Sequence, residues 1–266
     1  MGETLDVRRA GGVASVVMHR KGNNSIAADL VGELRAAFAE LSRDASVRVV
    51  VLQSEYEKYF SVGADLGEMG AIDRDAPDAE DRITETMLNL GSGFAEIERC
   101  PKPVIAAING HALGGGCELA LCCDYRIMVE DGRSRIGQTE TALGIIPGAG
   151  GTLRLPRLIG KARALPLILE STRLSAREAE EIALVSRAVA PEELQSAVDE
   201  LAGRLAKAAT VAVGMAKDSV NRGLDVPMEQ AMEIEARNFA RASLSQDAVI
   251  GVMSFLAKQE PEFTGS

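Results

Sequence analysis

Apolar and polar positions along the chain change period several times, and the changes mark out the elements. Leu5 to Arg8 and Val13 to His19 alternate as two short strands joined across Gly11-Gly12. Asp29 to Leu41 then places Leu30, Leu34, Phe38 and Leu41 at helical spacing, so the chain opens as ββα. Val47 to Gln53 and Pro103 to Ile108 are β-branched apolar runs, the pattern of strands buried on both faces. Between them an acidic stretch, Asp73 to Asp81, leads into a helical pattern from Ile83 to Ile97 that could border a cleft.

Beyond Gly151 the pattern becomes mostly helical. Helices are expected over Lys161 to Leu169, Ser175 to Leu184 with a Ser-Ala-Arg-Glu capping box, Pro191 to Lys207 and Thr210 to Asn221, with two more from Pro227 and Gln246. Neither a low-complexity linker nor a short repeat is apparent, so the change near Gly151 is the one clear shift in organisation. Pattern alone gives a mixed α and β class, and 266 residues suit one large core with an appended segment.

Composition removes alternatives rather than adding them. Apolar residues make up 46% and no apolar run is long enough to cross a bilayer, so no membrane partner is expected. Met1 to Arg9 lacks the basic-then-apolar order of a secretory signal, which points to the cytoplasm. A formal charge of −10 with 3% aromatics argues against nucleic acid. Cys100, Cys117, Cys122 and Cys123 form no CxxC pair and read as reduced thiols. With His19 and His111 the only histidines, no metal is expected.

Candidate chemistry lies in three glycine-rich segments: Phe60-Ser-Val-Gly-Ala-Asp65, Gly110-His-Ala-Leu-Gly-Gly-Gly-Cys-Glu118 and Leu143-Gly-Ile-Ile-Pro-Gly-Ala-Gly-Gly-Thr152. Such glycine density implies close backbone approach or positive φ. Gly114-Gly115-Gly116 opens an apolar helical stretch, so free N–H groups converge where an anion could sit. The run is neither a P-loop nor GxGxxG, which leaves a developing oxyanion as the better candidate. Glu118 and Glu140 flank these segments, and paired carboxylates can divide acid and base work if crowding raises one pKa. Cys117 reads as a buried small hydrophobe, Asp65 as a turn residue, and both histidines as structural. Met69, Met87 and Leu88 could form an apolar wall.

These segments, together with Pro103-Val-Ile-Ala-Ala-Ile-Asn-Gly-His, Cys123-Asp124 and Gly144-Ile-Ile-Pro-Gly-Ala-Gly-Gly-Thr-Leu-Arg-Leu, closely resemble the enoyl-CoA hydratase (crotonase) family. The likeness runs to Phe255-Leu-Ala-Lys258 and covers nearly the whole chain. It implies an α/β fold, a spiral of ββα units over 1–204, with a helical trimerisation segment over 205–266. It also implies reversible syn addition of water to a trans-2-enoyl-CoA. An isomerase, a hydrolase or a dienoyl-CoA hydratase of the same family is the alternative, and an RNA-binding or catalytically silent member is a more remote one.

Residue by residue, the resemblance assigns an oxyanion hole to the N–H groups of Ala64 and Gly115. It makes Glu118 the base that activates water, Glu140 the acid that protonates the α-carbon, and Gly148 a seat for the water. Coenzyme A would lie near Arg20, Ile26, Ala27 and the Ala64-Asp65-Leu66 turn, with no cofactor beyond the CoA of the substrate. Phe255 and Lys258 would reach the CoA of a neighbouring subunit in a homotrimer or dimer of trimers. Two departures stand out: Gly67 occupies a place where the family often has lysine, and the early Asn-Arg-Pro loop is His19-Arg20-Lys21.

Overall fold

The computed structural model describes residues 2–65, 67, 70 and 73–266. Strands β1 (Leu5–Ala10) and β2 (Val13–Met18) form an antiparallel hairpin across Gly11 and Gly12, both at positive φ. From β2 onward every pairing is parallel, through β3 (Val49–Ser54), β5 (Val104–Ile108), β7 (Tyr125–Val129) and β9 (Arg187–Val189), giving the order β1-β2-β3-β5-β7-β9. All of β5 is buried, as expected of a central parallel strand covered on both faces. A second parallel sheet joins β4 (Tyr59–Ser61), β6 (His111–Leu113) and β8 (Ile136–Gly137).

Helix α1 (Ala28–Arg43) follows the hairpin and buries Leu30, Leu34, Phe38 and Leu41, the residues whose spacing predicts it. Its partner α2 (Ala79–Arg99) begins inside the acidic stretch, four residues before the expected start, and buries Gly93, Phe94 and Ile97. Early acidic residues suit a helix start because they face unpaired N–H groups. The pattern gave no separate warning of the small sheet: its strands have three, three and two residues, too short to establish a period of two.

Helix α3 (Gly115–Leu121) packs on the small sheet and is wholly buried. Its close approach to β4 is why the chain needs glycine there, since a Cβ on Gly116 would stand 2.2 Å from the Ser61 carbonyl oxygen. The chain continues through a 3-10 turn at Glu140–Leu143, then α4 (Gly151–Ile159), α5 (Lys161–Leu169) and α6 (Ala176–Glu181), whose Ser175–Glu178 capping box is formed. Helix α4 starts ten residues earlier than the first helix expected beyond Gly151. The opposite face of the large sheet is covered by α7 (Leu194–Ala206), which packs Ala197, Val198 and Ala202 against Val49, Val51, Ile105 and Ile127. The division expected between 204 and 205 falls inside this helix. Helices α8 (Thr210–Gly223), α9 (Met228–Ser243) and α10 (Gln246–Ala257) complete the chain.

Gly116→Ala forces the Ser61 backbone or α3 to move, and overpacking of this kind costs about 1–3 kcal/mol. The variant is therefore expected to unfold at a lower denaturant midpoint with an unchanged m-value. An unaltered midpoint would mean that α3 and β4 are less tightly apposed.

Candidate active site

Three backbone segments converge at α3. Ile26 forms a parallel bridge with Ala64: its N–H donates to the Gly63 carbonyl at 2.7 Å, and its own carbonyl accepts from Asp65 N–H at 2.9 Å. Gly63 has φ +93, and a Cβ there would lie 2.8 Å from the Leu113 carbonyl oxygen and 3.1 Å from Gly115 N, so this turn is seated against the first residue of α3. Gly114 caps that helix at φ +53. The bridge uses the Gly63 carbonyl and the Asp65 N–H, the groups on either side of Ala64. Neither the Ala64 N–H nor the Gly115 N–H has an acceptor among the described residues. Both residues line a cavity of about 310 Å³ that also contains Glu118, Glu140 and Gly148.

The two carboxylates are buried, with 3% of Glu118 and 9% of Glu140 exposed. Glu118 projects from α3 so that Oε1 accepts from Ala149 N at 2.8 Å and Gly151 N at 2.7 Å, two N–H groups at the start of α4. Burial pushes its pKa above the ordinary range, while those two donors and the Arg154 cation pull it back. Glu140 is pushed further, up to about 7, first by burial and then by the negative charge of Glu118. The pair is thus biased to share one proton, held mainly by Glu140. Gln138, fully buried, reaches both Glu140 oxygens at 3.2 Å with its amide nitrogen turned toward them, and the same amide turned over can accept from the protonated acid.

Apolar side chains make up most of the remaining wall: Ile26, Ala27, Met87, Leu90, Ile145 and Ile146. Met87 sits above Gly148, where a Cβ would be 2.6 Å from the Met87 sulfur. The cavity opens through Ala64, Gly115, Glu140 and Ile145 into a groove of about 770 Å³ that reaches Arg20, Lys21, Asn23 and Ser25. Within it Arg20 binds Asp29 through Nε at 2.7 Å and Asp65 through Nη1 at 2.9 Å. Asp65 also accepts from Gly67 N at 3.0 Å, a turn-fixing contact.

The structure therefore gathers Glu118, Glu140, Ala64, Gly115 and Gly148 in one cavity, with Ile26, Ala27, Asp65 and Arg20 in or beside it. Leu66 and Met69 lie outside the described residues. Phe255 is 82% exposed on α10, Lys258 follows that helix at φ +56, and neither lines the cavity of its own chain. His111 is occupied structurally, its Nδ1 accepting from Arg135 N at 3.1 Å. Among the described residues no group of three or more His, Cys, Asp or Glu could hold a metal ion, and no helix is long and apolar enough to cross a membrane. Sequence reasoning passed over Arg154 and the loop N–H groups that hold Glu118. The Pro-Gly-Ala-Gly-Gly-Thr run signalled the exposed backbone but not its target.

Residues 8–266 match the family model described as enoyl-CoA hydratase/isomerase. The chain belongs to that family. It is 37% identical to the short-chain-enoyl-CoA hydratase of Clostridium acetobutylicum over 96% of this chain and 95% of the relative. It is also 37% identical to the crotonyl-CoA hydratase of Syntrophomonas wolfei, covering 91% of this chain and 90% of the relative. An enoyl-CoA hydratase from Bacillus anthracis shares its fold with a TM-score of 0.90 at 35% identity, covering 99% of this chain and 100% of that one. The α/β expectation is met by a crotonase-type fold, in which the ββα opening and the C-terminal helices are both present.

The displaced pKa of Glu140 has a consequence for stability. Its folded carboxyl keeps its proton up to about 7, whereas the ordinary value is 4.5. Between those values the folded state binds more protons than the unfolded one, so this group's stabilising contribution is present below 4.5 and lost as the pH rises through 7. Glu140→Gln removes that loss. The variant is expected to be more stable than wild type by on the order of 2–3 kcal/mol at pH 8, with the gap closing near pH 4.5. Denaturant titrations at the two pH values check this, and a gap that is equal at both would contradict it.

Proposed function

We propose that this chain is an enoyl-CoA hydratase that adds water reversibly and syn across the double bond of a trans-2-enoyl-CoA, giving a 3-hydroxyacyl-CoA. One observation carries the proposal: two buried carboxylates with unequal proton affinity share a cavity with two unpartnered N–H groups. Hydration needs each of these parts. The N–H groups of Ala64 and Gly115 accept the thioester oxygen and stabilise the enolate as negative charge moves onto it. Glu118, the better ionised of the pair, takes a proton from water as its oxygen bonds to C3. Glu140 delivers its proton to C2, so H and OH arrive from one side. A proton passed from Glu118 to Glu140 restores the starting state.

In the same proposal Gly148 leaves room for the water beneath Met87, because any side chain there would meet the sulfur. The pantetheine and nucleotide of CoA follow the wide groove past Ala64, Asp65, Ile26 and Ala27 toward Arg20 and Lys21, and no cofactor beyond CoA is required. The acyl chain enters the apolar cavity, whose volume sits at the lower end of the roughly 300–1,000 Å³ common for ligand sites. A short acyl group fits best.

The segment 205–266 carries exposed Leu224, Met228, Met232, Phe239, Leu244 and Phe255, apolar surface of the kind that subunit contacts cover. A homotrimer or a dimer of trimers would bury it and bring Phe255 and Lys258 toward the groove of a neighbour. The bacterial relatives favour a cytoplasmic location.

Loss of the conjugated enoyl absorbance of crotonyl-CoA tests the activity. Wild type is expected to remove it rapidly, and Glu118→Gln and Glu140→Gln to reduce kcat by at least about 100-fold each. No loss with short, long, branched or cyclic enoyl-CoA substrates would contradict hydration, as would full activity in either variant.

A further inference from the structure

Arg154 lies one turn into α4, outside the cavity, and is 17% exposed. Its Nη1 donates to the Ala149 carbonyl at 2.9 Å, while Nε and Nη2 donate to Glu98 Oε2 at 3.2 and 2.9 Å. The Ala149 carbonyl stands between the two N–H groups, of Ala149 and Gly151, that hold Glu118 Oε1. Gly150 completes the fit: it has φ +109, and a Cβ there would come within 2.0 Å of Arg154 Nη1. Glu98 is fixed from the other side, where Asn221 of α8 donates to its carbonyl at 3.3 Å.

We propose that Arg154, anchored by Glu98, is a positioning residue for the reaction: it sets the Ala149–Gly151 peptides so that both N–H groups address one oxygen of Glu118. The proposal rests on the hydratase assignment for its kinetic consequences and on the hydrogen-bond geometry for its structural ones. The guanidinium adds a second effect, because a cation behind the two donors favours the ionised form of Glu118. The other groups facing Glu118 do not supply this. Glu140, on the 3-10 turn, opposes ionisation. Cys117, on α3, and Cys122, at its C-cap, are neutral thiols whose pKa burial pushes up. Arg126, on β7, is spent on the carbonyls of Ala120, Cys123 and Leu184.

The role separates from mere structural support through the pH dependence of kcat/KM. Arg154→Met is expected to lower kcat with crotonyl-CoA by about 10- to 100-fold while KM changes less than about threefold. The acidic limb of its profile should move up by about one pH unit, because Glu118 then holds its proton more tightly. Arg154→Lys keeps the charge but cannot span Ala149 and Glu98 together, so it should restore the limb more than the rate. Glu98→Gln should fall between wild type and Arg154→Met.

A folded Arg154→Met variant with its acidic limb unmoved would overturn the proposal, as would a lysine variant indistinguishable from the methionine one. The Glu118 carboxyl band, isolated by infrared difference against Glu118→Gln without substrate, is the second readout. It should titrate at higher pH in Arg154→Met, and an unshifted band would overturn the proposal even if the wild-type protein proved to hydrate no enoyl-CoA.

Discussion

The site depends on one contact, the double donation from Ala149 N and Gly151 N to a single oxygen of Glu118. Charge-assisted hydrogen bonds of this kind are about twice as strong as neutral ones, and inside a protein they also fix direction. Glu118 can face those donors only if α3 packs closely on the small sheet. That placement rests on the absence of a side chain at Gly116 against Ser61 and at Gly63 against Leu113 and Gly115. The donors are available only because Gly150 turns through positive φ as α4 begins. The two glycine-rich loops and one carboxylate are therefore a single device built from segments about thirty residues apart.

The same contact sets the two carboxylates apart. Two carboxylates buried together cannot both be ionised cheaply, so the one with better solvation by the protein keeps the charge. Burial raises both, but two N–H donors and a nearby cation oppose it at Glu118, whereas at Glu140 a negative neighbour adds to it. The result is one carboxyl that holds its proton more tightly than its neighbour, both made from one residue type. The apolar side chains of Ile26 and Leu90 lower the polarity around the carboxylates, which strengthens electrostatic effects between them.

Much of this was legible in the chain. Leu30, Leu34, Phe38 and Leu41 announced α1, continuous apolar runs announced β3 and β5, and the capping box marked the start of α6. Gly114 to Gly116 beside Glu118, and Glu140 ahead of a second glycine loop, marked the candidate site. The second sheet was not legible, because its strands take their stability from tertiary placement and are too short to show a period. Nor was the Arg154–Glu98 pair, since the residues are 56 positions apart and each alone reads as an ordinary helix-surface charge. Close approach explains why glycine occupies positions 116 and 150, but only the folded neighbours, Ser61 and Arg154, reveal what each glycine makes room for.

The division of labour between the carboxylates is tested most directly by carbon-13 NMR titration of labelled glutamate carboxyls in the unliganded protein, with Glu118→Gln and Glu140→Gln assigning the two resonances. The Glu140 carboxyl is expected to titrate near 7, with Glu118 ionised before it as the pH rises. Titration of both near the ordinary glutamate value of 4.5, or a proton retained on Glu118 after Glu140 has ionised, would contradict it.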